Sequence, residues 1–364
     1  MRVGLVIYGS LDTLSGGYLY DRKLVEYLRS QGDSVEIVSL PVTSYAGAFA
    51  QNASRTIRQK LTSLKVDILL QDELNHPSLF WLNGWLRPRV NYPLIGIVHH
   101  LRSSENHPGY LRSFYQAVER RYLKSLDGFV FNSQSTRRAV AALAQSNRPF
   151  VVATPGGDAL DGPRIADENH AHRQEIKIVN NDTRLEIIFV GNLIMRKGLH
   201  TLFAALRNIP NGTWRLRVVG RTDLDPGYTH RCRELASQYG LFGKVEFLGA
   251  LKDSALVQLY QSSHLLVVPS TFEGFGIVYL EAMRWGVVPV ASSAGGAVEI
   301  IRNGENGWLV KPGDVGGLAA VLEKALHNPE MVATMSQAAR TRYADFPTWA
   351  ETAETIRLFL LDQI

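Results

Sequence analysis

The sequence predicts an α/β protein built from two doubly wound parallel sheets, one in each half of the chain. Short apolar runs alternate with helical patterns over residues 2–153, and the alternation begins again at residue 185. Continuous apolar runs are typical of parallel strands covered on both faces, and the helices between them serve as crossovers. A polar interval rich in Gly, Asp, Asn and His separates the halves at residues 155–184 and is interpreted as a linker.

Six strands are predicted in the first half of the chain. They are Arg2–Tyr8, Ser34–Ser39, Asp67–Leu70, Leu94–Val98, Gly128–Phe131 and Phe150–Ala153. Helical patterns lie between them, for instance at Tyr18–Arg29 and Tyr110–Ser125. Because ligands of doubly wound sheets bind beyond the carboxyl ends of the strands, the loops at 9–17, 71–77, 99–108 and 132–136 are expected to line a site.

The second half repeats this organisation. Its predicted strands are Leu185–Val190, Trp214–Val219, Val245–Leu248, Leu265–Val268 and Pro289–Ala291, followed by a last short strand that ends at Val310. Helices are predicted at Leu199–Leu206 and Ile277–Trp285, and a final amphipathic helix at Ala350–Leu361. A chain of 364 residues is long enough for two such domains with separate cores.

The composition excludes several classes of protein. With 45% hydrophobic and 20% charged residues, the chain has the composition of a soluble globular protein, and it contains no apolar run of about 18 residues. The apolar run Val3–Tyr8 is shorter than the core of a signal peptide and is interpreted as the first strand. The single cysteine, Cys232, cannot form an internal disulfide, so a reducing compartment, the cytoplasm, is predicted.

The basic excess of the chain lies in its first half. Residues 1–165 hold 19 Lys and Arg against 13 Asp and Glu, a net charge of +6, whereas residues 166–364 hold 20 against 21. Such an excess would attract anionic lipid headgroups or an anionic acceptor, and the alternative interpretation is a set of solvated helix faces. The clusters concerned are Arg55-Arg58-Lys60-Lys65, Arg87-Arg89, Arg120-Arg121-Lys124 and Arg137-Arg138.

The stretch Pro269–Gly286, reading PSTFEGFGIVYLEAMRWG, organises the second half. A strand, a glycine-bearing loop and a helix start follow one another there, and this combination favours phosphate because the first amides of a helix are unpaired. Glu273 and Glu281 would repel a diphosphate, so each is expected to bind neutral hydroxyls on either side of it, as in a nucleoside diphosphate sugar. The alternative is that Glu281 is solvated and Glu273 caps the helix.

Two cations mark the start of another predicted helix. Arg196 and Lys197 follow the strand Leu185–Val190 and precede the helix Leu199–Leu206. Positive charge at a helix start opposes the helix dipole and is unfavourable unless an anion is bound. The pair therefore indicates a diphosphate ligand.

Two loops of the first half carry further candidates. Gly16 and Gly17 stand just before a predicted helix, where paired glycines allow a ligand to approach the backbone closely, although ordinary turns use such pairs as well. His99 and His100 follow the predicted strand Leu94–Val98. A histidine at that place is either a hydrogen-bond donor of tunable charge or a structural residue.

The stretch around Glu273 resembles the signature of the glycosyl transferases group 1, the family 4 glycosyltransferases, which have the GT-B fold and retain the anomeric configuration of the sugar. Two glutamates separated by seven residues bracket the donor in that family, and the match extends over nearly the whole second half of the chain. The resemblance implies that Glu273 binds the transferred sugar and Glu281 the ribose. The amides expected to face the diphosphate are those of Phe275, Gly276 and Ile277.

Other positions match the same family. Lys197 with the glycine after it matches the second donor motif, while Asn192 stands where the family usually has an arginine, and Arg196 is the candidate to supply that charge. The family's histidine near the donor sugar corresponds to His99, with His100 as the second choice. The remaining roles implied are catalysis by His99, Glu273 and Lys197, diphosphate binding by Gly16 and Gly17, nucleobase contact by Leu251, and an acceptor side lined by His100, Arg102 and Glu105.

The resemblance implies two Rossmann-like domains that face a cleft. The acceptor-side domain would span residues 1–165 together with a C-terminal crossover helix at 345–364, and the donor-binding domain would span residues 166–344. The implied activity is transfer of a hexose from a UDP- or GDP-sugar to a saccharide or lipid-linked acceptor, without nucleic acid. No metal is expected, since Glu168, His170 and His172 fit no strong ligand spacing. Peripheral contact with the inner face of an anionic membrane is a further hypothesis.

Three other interpretations remain open at this point. A dinucleotide-dependent oxidoreductase also has doubly wound sheets, but this chain lacks G-x-G-x-x-G after its first strand. A nucleotide-sugar hydrolase or epimerase of the same fold would share the donor site. A non-catalytic partner subunit would keep the fold, and Asn192 favours that interpretation, whereas the glutamates, Lys197 and His99 favour an enzyme.

Overall fold

The computed structural model describes residues 1–160, 184–210 and 212–364. Contacts divide the chain into two compact units: unit 1 consists of Met1–Gly156 and Pro347–Ile364, and unit 2 of Gly157–Phe346. Each unit holds one sheet of six strands, which confirms the predicted pair of doubly wound sheets. The expected boundary at residue 165 and the group of Glu168, His170 and His172 lie outside the described residues.

The sheet of unit 1 is parallel throughout. Its strands are β1 (Arg2–Tyr8), β2 (Ser34–Leu40), β3 (Ile68–Asp72), β4 (Leu94–Val98), β5 (Gly128–Phe131) and β6 (Phe150–Val152). Their order is β2-β1-β3-β4-β5-β6, so the direction of winding reverses between β1 and β3. Doubly wound sheets bind ligands at the carboxyl ends of the strands on either side of such a reversal.

Strand β3 extends further than the sequence predicts. The apolar run ends at Leu70, but Gln71 and Asp72 continue the parallel pairing with β4 and are fully buried. Hydrogen bonding to the neighbouring strand, and not side-chain hydrophobicity, sets this strand end. As a result a carboxylate lies at the carboxyl end of a central strand.

Seven helices accompany this sheet in the described part of residues 1–156. They are α1 (Gly16–Ser30), α2 (Tyr45–Gln51), α3 (Arg55–Ser63), α4 (His76–Leu79), α5 (Leu82–Leu86), α6 (Gly109–Lys124) and α7 (Gln134–Ala144). Helix α1 starts two residues before its predicted start at Tyr18, because the hydroxyl of Ser15 accepts a hydrogen bond from the backbone N–H of Tyr18 and caps the helix. Gly16 and Gly17 are therefore the first residues of α1 and not a loop before it.

The sheet of unit 2 is built in the same way. Its strands are β7 (Leu185–Val190), β8 (Trp214–Val219), β9 (Val245–Gly249), β10 (Leu265–Val268), β11 (Val288–Ser292) and β12 (Trp308–Val310). They lie in the order β12-β11-β10-β7-β8-β9, again with all neighbours parallel. The winding reverses between β7 and β10, so the loops after these two strands are the expected ligand-binding loops.

The two helices predicted for unit 2 are present with nearly the predicted bounds, and five others accompany them in the described residues. They are α8 (Leu199–Leu206), α9 (Pro226–Gln238), α10 (Asp253–Gln261), α11 (Ile277–Arg284), α12 (Ala297–Ile300), α13 (Val315–His327) and α14 (Pro329–Ala344). A short 3₁₀ turn at Met195–Lys197 precedes α8. Each unit has its own hydrophobic core. Within the described ranges, no helix has the length and apolar character needed to cross a bilayer.

The last helix, α15 (Trp349–Leu361), belongs to unit 1. Thr348 and Glu351 form a capping box at its start, which explains why it begins one residue before the predicted start. Its outer turns contact α1 and the loop that follows: Arg357 donates a hydrogen bond to Asp33 at 2.7 Å, and Glu354 accepts one from Tyr27 at 2.8 Å. The C-terminal segment thus completes the first unit.

Candidate functional site

The carboxyl end of the sheet in unit 2 brings three predicted residues together. Arg196 and Lys197 follow β7, and Glu273 follows β10, the neighbouring strand. Nζ of Lys197 donates a hydrogen bond to Oε1 of Glu273 at 2.7 Å, and Nη1 of Arg196 lies 3.6 Å from Oε2. The hydroxyl of Ser270 donates to Oε1 as well. One buried carboxylate is thus held by two cations and a hydroxyl.

These partners keep Glu273 ionised although it is buried. Burial raises the pKa of this carboxyl, but Lys197, Arg196 and the hydroxyl of Ser270 lower it to about 2. Burial also lowers the pKa of the Lys197 ammonium, and the ion pair with Glu273 opposes that shift. Two cations and one carboxylate leave a net charge of +1, so the group still favours an anion.

The start of α11 adds backbone donors beside this group. Gly276 precedes the helix with a φ of 99°, a left-handed conformation that glycine adopts readily. A Cβ there would lie 2.5 Å from the ring of Tyr279. Phe275 is buried and Ile277 is half-buried on either side of this glycine. As in any helix, the first amides of α11 have no partner within the helix and form its positive end.

Glu281 is buried on α11, so the interpretation of a solvated helix residue is wrong. The hydroxyl of Tyr260 on α10 donates a hydrogen bond to its Oε2 at 3.3 Å. Burial raises the pKa of Glu281 to about 7, against the opposing effect of that hydrogen bond. The helix-capping interpretation of Glu273 is also wrong, because Gly276 is the residue before α11.

A neighbouring loop fixes the position of Glu273. Its backbone forms a parallel bridge with Gly295, and the N–H of Gly296 donates to the carbonyl of Glu273 at 2.8 Å. A Cβ at Gly295 would lie 1.9 Å from that carbonyl oxygen, and φ at Gly295 is 85°. Only glycine allows the two backbones to approach so closely.

Leu251 lies apart from this group. It follows β9, which is separated from β10 by β7 and β8, and it packs half-buried against the core of unit 2. The expected contact of Leu251 with a nucleobase stays a prediction.

In unit 1, His99 lies in a buried cluster with Asp21, Asp72 and Glu73. Nε2 of His99 is 3.3 Å from Oδ1 of Asp21, and the backbone N–H of His99 donates to Oε2 of Glu73 at 2.7 Å. A Cβ at Gly17 would lie 3.1 Å from Cδ2 of the same ring, so the glycine leaves room for the imidazole. The four polar residues come from α1, from the end of β3 with the turn after it, and from the end of β4, at the reversal of the sheet.

The charges in this cluster compensate one another only in part. Burial works against a charge on His99, but Asp21, Asp72 and Glu73 raise the pKa of its ring to about 9. Burial and the neighbouring Asp21 raise the pKa of Asp72 to about 7, and burial together with Asp72 raises that of Glu73 well above its usual range. The cluster therefore favours a charged imidazolium, and burial together with mutual repulsion favours protons on Asp72 and Glu73.

Within the part of the chain that the structure describes, three residues of this cluster lie close enough together to resemble a metal site. Asp21, Asp72 and His99 each offer one ligand atom, and these atoms lie within 4.8 Å of one another. The hydrogen bond between His99 and Asp21 accounts for this proximity, and a ring nitrogen that carries a proton does not coordinate a metal. We therefore describe the cluster as hydrogen-bonded.

His100 lies at the rim of the cluster. Its Nε2 is 3.1 Å from Oε1 of Glu105, and its Nδ1 is 3.9 Å from Oε1 of Glu73. The ring of His99, not that of His100, is buried among the carboxylates. This difference favours His99 as the residue that matches the family's histidine.

Arg102 lies on the same loop as His100, and its side chain covers a group of aromatic rings from other elements. Its guanidinium lies 5.0 Å from the ring centre of Tyr45 and 4.9 Å from that of Tyr115. His107 contacts Tyr115 from another side, with ring centres 4.8 Å apart. A planar cation on aromatic faces keeps its charge and its donors. The loop after β4 therefore presents positive charge near the rim of the cluster.

Five residues that complete these groups are not found from the sequence. They are Asp21, Asp72, Glu73, Ser270 and Tyr260. The loop at 71–77 is expected to line a site, but its individual residues carry no motif. Asp21 lies within a helix, where an acidic residue is usually solvated, and nothing in the local pattern indicates burial.

Comparison with known families gives matches over both units. The family model for "Glycosyl transferases group 1" matches residues 172–342, and that for "Glycosyltransferase Family 4" matches residues 19–159. Among known proteins, the chain is similar to D-inositol 3-phosphate glycosyltransferase of Nocardia farcinica. The two are 28% identical over 334 residues, which cover 85% of this chain and 72% of that protein.

Two solved structures have a similar fold. Sucrose-phosphate synthase from Thermosynechococcus elongatus gives a TM-score of 0.83 at 20% sequence identity, covering 99% of this chain and 98% of that one. HepE of Anabaena, solved in complex with UDP-glucose, gives a TM-score of 0.77 at 19% identity, covering 100% of both chains. At these identities the likeness concerns the fold, which is of the GT-B type in this chain too.

The contact between Gly295 and the carbonyl of Glu273 predicts a large effect of Gly295→Ala. Both the left-handed φ and the collision with backbone oppose an alanine, so we expect a loss of about 3 kcal/mol in the free energy of unfolding, measured by denaturant titration. Gly304→Ala is the matched control, because φ is 82° there and nothing lies within 4 Å of a Cβ. It should lose only about 1 kcal/mol. Equal losses in both variants would contradict the proposed collision.

The buried Glu281 predicts a pH-dependent effect of Glu281→Gln. Since the pKa of this carboxyl is higher in the folded protein than in the unfolded chain, the fold loses stability as the pH rises from the ordinary value of 4.5 to about 7, and the loss is complete above that. The variant should be more stable than the wild type at pH 8, by up to about 3 kcal/mol, and nearly equal at about pH 4. Thermal unfolding at both pH values measures this. Glu323→Gln, at an exposed position, serves as control, and a difference that does not change with pH would refute the argument.

Proposed function

Since this chain belongs to the glycosyl transferases group 1 family, we propose that it is a retaining glycosyltransferase that moves a sugar from a nucleoside diphosphate sugar to a saccharide or lipid-linked acceptor. The observation that carries this proposal is the group of Glu273, Lys197 and Arg196 beside the start of α11. Its net positive charge suits a diphosphate, and its carboxylate suits the hydroxyls of the attached sugar.

The donor is proposed to be a UDP-sugar or a GDP-sugar that carries a hexose. The solved complexes of HepE contain UDP, UDP-glucose, or UDP with glucose, which supports the uridine donor. In this scheme Glu281 accepts hydrogen bonds from the ribose, and Leu251 contacts the base. The amides of Phe275, Gly276 and Ile277, and those of Gly16 and Gly17, bind the diphosphate.

Arg196 is proposed to replace the arginine that the family usually has at the position of Asn192. Its guanidinium approaches Oε2 of Glu273, while Lys197 binds Oε1 of the same carboxylate. The two cations therefore share one partner, and a diphosphate near that partner would meet both charges. The second donor motif would keep two cations despite the departure at Asn192.

The proposed reaction is a substitution at the anomeric carbon of the donor sugar. The bond from this carbon to the diphosphate oxygen breaks, and its electron pair stays on the diphosphate. The acceptor oxygen forms its bond on the same face, and its proton passes to the leaving diphosphate. Lys197, Arg196 and the first amides of α11 stabilise the charge that develops on the leaving group. This scheme uses neither a carboxylate nucleophile nor a metal.

The acceptor is proposed to bind to unit 1. His99 would bind hydroxyls of the transferred sugar, and His100, Arg102 and Glu105 would contact the acceptor. The positive charge of Arg102 over its tyrosines suits an acceptor that carries an anionic group.

A surface of unit 1 suits an anionic membrane. Trp81 is 53% exposed, and the guanidinium of Arg121 lies 5.9 Å from its ring. Arg58 and Arg89 lie 4.7 and 4.3 Å from the ring of Trp85. Indole rings beside cations are typical of surfaces that lie at a bilayer interface. We propose that this basic aromatic face, defined by these five residues, contacts anionic lipids on the cytoplasmic side.

The charge arrangement around Lys197 predicts that Lys197→Ala loses nucleotide binding. Removing the ammonium deletes one phosphate ligand and leaves Glu273 with less compensation, so we expect UDP to bind at least about 30-fold more weakly in calorimetry. GDP and ADP, tested alongside, identify the base. Lys311→Ala, at an exposed position, should bind as the wild type does. A wild type that binds none of the three nucleotides would overturn the proposed function.

Glu273→Gln separates sugar binding from nucleotide binding in the same assay. The amide keeps the shape and removes a negative charge that repels the diphosphate, but it also removes the ion pair that keeps the Lys197 ammonium charged. These two effects oppose each other, so UDP should bind within about 10-fold of the wild type. Sugar transfer should fall by about 100-fold, because an interaction with the transferred sugar is lost. A loss of UDP binding as large as that in Lys197→Ala would mean that Glu273 only supports Lys197. Sugar release to water in place of transfer would favour a hydrolase.

The basic aromatic face predicts binding to vesicles of phosphatidylglycerol at low salt and not to phosphatidylcholine. Combining Trp81→Ala with Arg121→Gln removes one ring and one charge, so sedimentation with the anionic vesicles should fall several-fold. Phe242→Ala in unit 2 is the control, since this ring is 88% exposed but lies outside the face. Equal sedimentation of the double variant and the wild type would refute the assignment.

A further inference from the structure

The backbone of His99 is held on both sides by unit 1. Its N–H donates to Oε2 of Glu73 at 2.7 Å, and its carbonyl accepts hydrogen bonds from Asn132 at 2.9 Å and Thr136 at 3.2 Å. The ring of Tyr20 meets the imidazole edge to face, with centres 5.2 Å apart. These contacts fix the position of the residue, but none of them is a hydrogen bond to a ring nitrogen, so the freedom that remains is which nitrogen faces which partner.

Asp21 removes that remaining freedom. Asp21 lies on the buried face of α1, where its side chain is fully buried and its Oδ1 is 3.3 Å from Nε2 of His99. The carboxyl group of Asp72 faces Asp21 as well, and a hydrogen bond links the two acids. Burying two acids against each other is unfavourable, and an amide or an apolar residue at position 21 would avoid that penalty. A requirement at His99 therefore explains Asp21 better than the packing of α1 does.

The hydrogen bond with Asp21 decides which ring nitrogen of His99 remains available to a ligand. With Nε2 directed at Asp21, the nitrogen left for a ligand is Nδ1, which has no hydrogen-bond partner in the part of the chain that the structure describes. The side chain of His99 is 9% exposed, so a small area of the ring is open to a ligand.

We propose that Asp21 is a positioning residue for sugar transfer: it holds Nε2 of His99 so that Nδ1 points a hydrogen-bond donor at a neutral sugar hydroxyl. The proposal rests on the proposed function and adds a residue to it. Asp21 itself does not touch the substrate in this scheme. Its part is to set the orientation and the proton of the residue that does.

The groups around His99 favour a ring that donates hydrogen bonds from both nitrogens. Asp21 faces the ring from α1, Asp72 from the end of β3, and Glu73 from the turn after it. All three are acidic, so they favour a proton on the imidazole, and a ring that carries both protons can donate one hydrogen bond to Asp21 and another to a sugar hydroxyl. In agreement with this arrangement, the pKa of His99 is raised to about 9.

A purely structural role for Asp21 is the competing explanation, and Asp33 provides the matched comparison. Asp33 is also a buried acid of unit 1, and it binds the N-terminal amine and Arg357, each at 2.7 Å. Replacing it by Asn should lower stability without any effect on His99. Asp21→Asn keeps the shape of the side chain and removes the charge that faces Nε2.

The test combines a titration of His99 with kinetics on wild type, Asp21→Asn and Asp33→Asn. NMR of the ¹³C-labelled histidines reads the ring charge, and His99→Gln assigns the signal. We expect the pKa of His99 to fall by at least about one unit in Asp21→Asn and to stay constant in Asp33→Asn. The kcat for transfer should fall by about 10- to 100-fold in Asp21→Asn alone, with the donor KM and UDP affinity within about 3-fold of the wild type.

Each other outcome overturns the proposal. An unchanged titration of His99 in Asp21→Asn would show that the pair is not coupled, and an unchanged kcat would show that the coupling does not serve transfer. Should Asp21→Asn fail to fold, the wild type alone decides, because a His99 ring that is neutral at pH 7.5 contradicts the proposal. Failure of the proposed function gives a different result: the wild type would then bind no nucleotide, whatever the state of His99.

Discussion

A buried carboxylate shared by two cations is the interaction on which the site of unit 2 depends. Lys197 lies in the loop after β7 and Glu273 in the loop after β10, so their ion pair ties the two loops at the reversal of the sheet. Neither charge would be tolerated there alone, because an unpaired ion away from water is destabilised by several kcal/mol, or about 3–5 kcal/mol when a partner is removed. The close approach of Gly295 to Glu273 holds the carboxylate where both cations can reach it.

In unit 1 the excess charge of the buried cluster has the opposite sign. There one imidazole meets Asp21, Asp72 and Glu73, so acids outnumber the base, and the pKa values of Asp72 and Glu73 are raised as a result. Unit 2 has the excess cation and unit 1 the excess carboxyl groups. The first arrangement favours an anion, and the second favours a hydrogen-bond donor on the imidazole.

The sequence predicts the strands well and the contacts between side chains poorly. Leu265–Val268 and Leu185–Val190 are found to the residue because a buried parallel strand is a continuous apolar run. Glu273, Lys197 and His99 are found because each follows such a run. Asp21 is missed because its burial depends on α1 lying against the end of β4, and Tyr260 because its hydroxyl meets Glu281 from another helix. A local pattern holds no information about partners that are distant along the chain.

The same limit explains why the sequence assigns Lys197 and Glu273 separate roles when they contact each other. Without Glu273 and before a diphosphate binds, the buried ammonium of Lys197 would have no anionic partner and would tend to lose its proton. Glu273 keeps the ammonium charged before the anion arrives, and the cations keep Glu273 ionised in return. An ionised carboxylate can accept hydrogen bonds from two hydroxyls, whereas a protonated one would compete as a donor. The ion pair therefore keeps Lys197 charged for an anion and Glu273 ionised for hydroxyl groups, and each residue depends on the other for its charge.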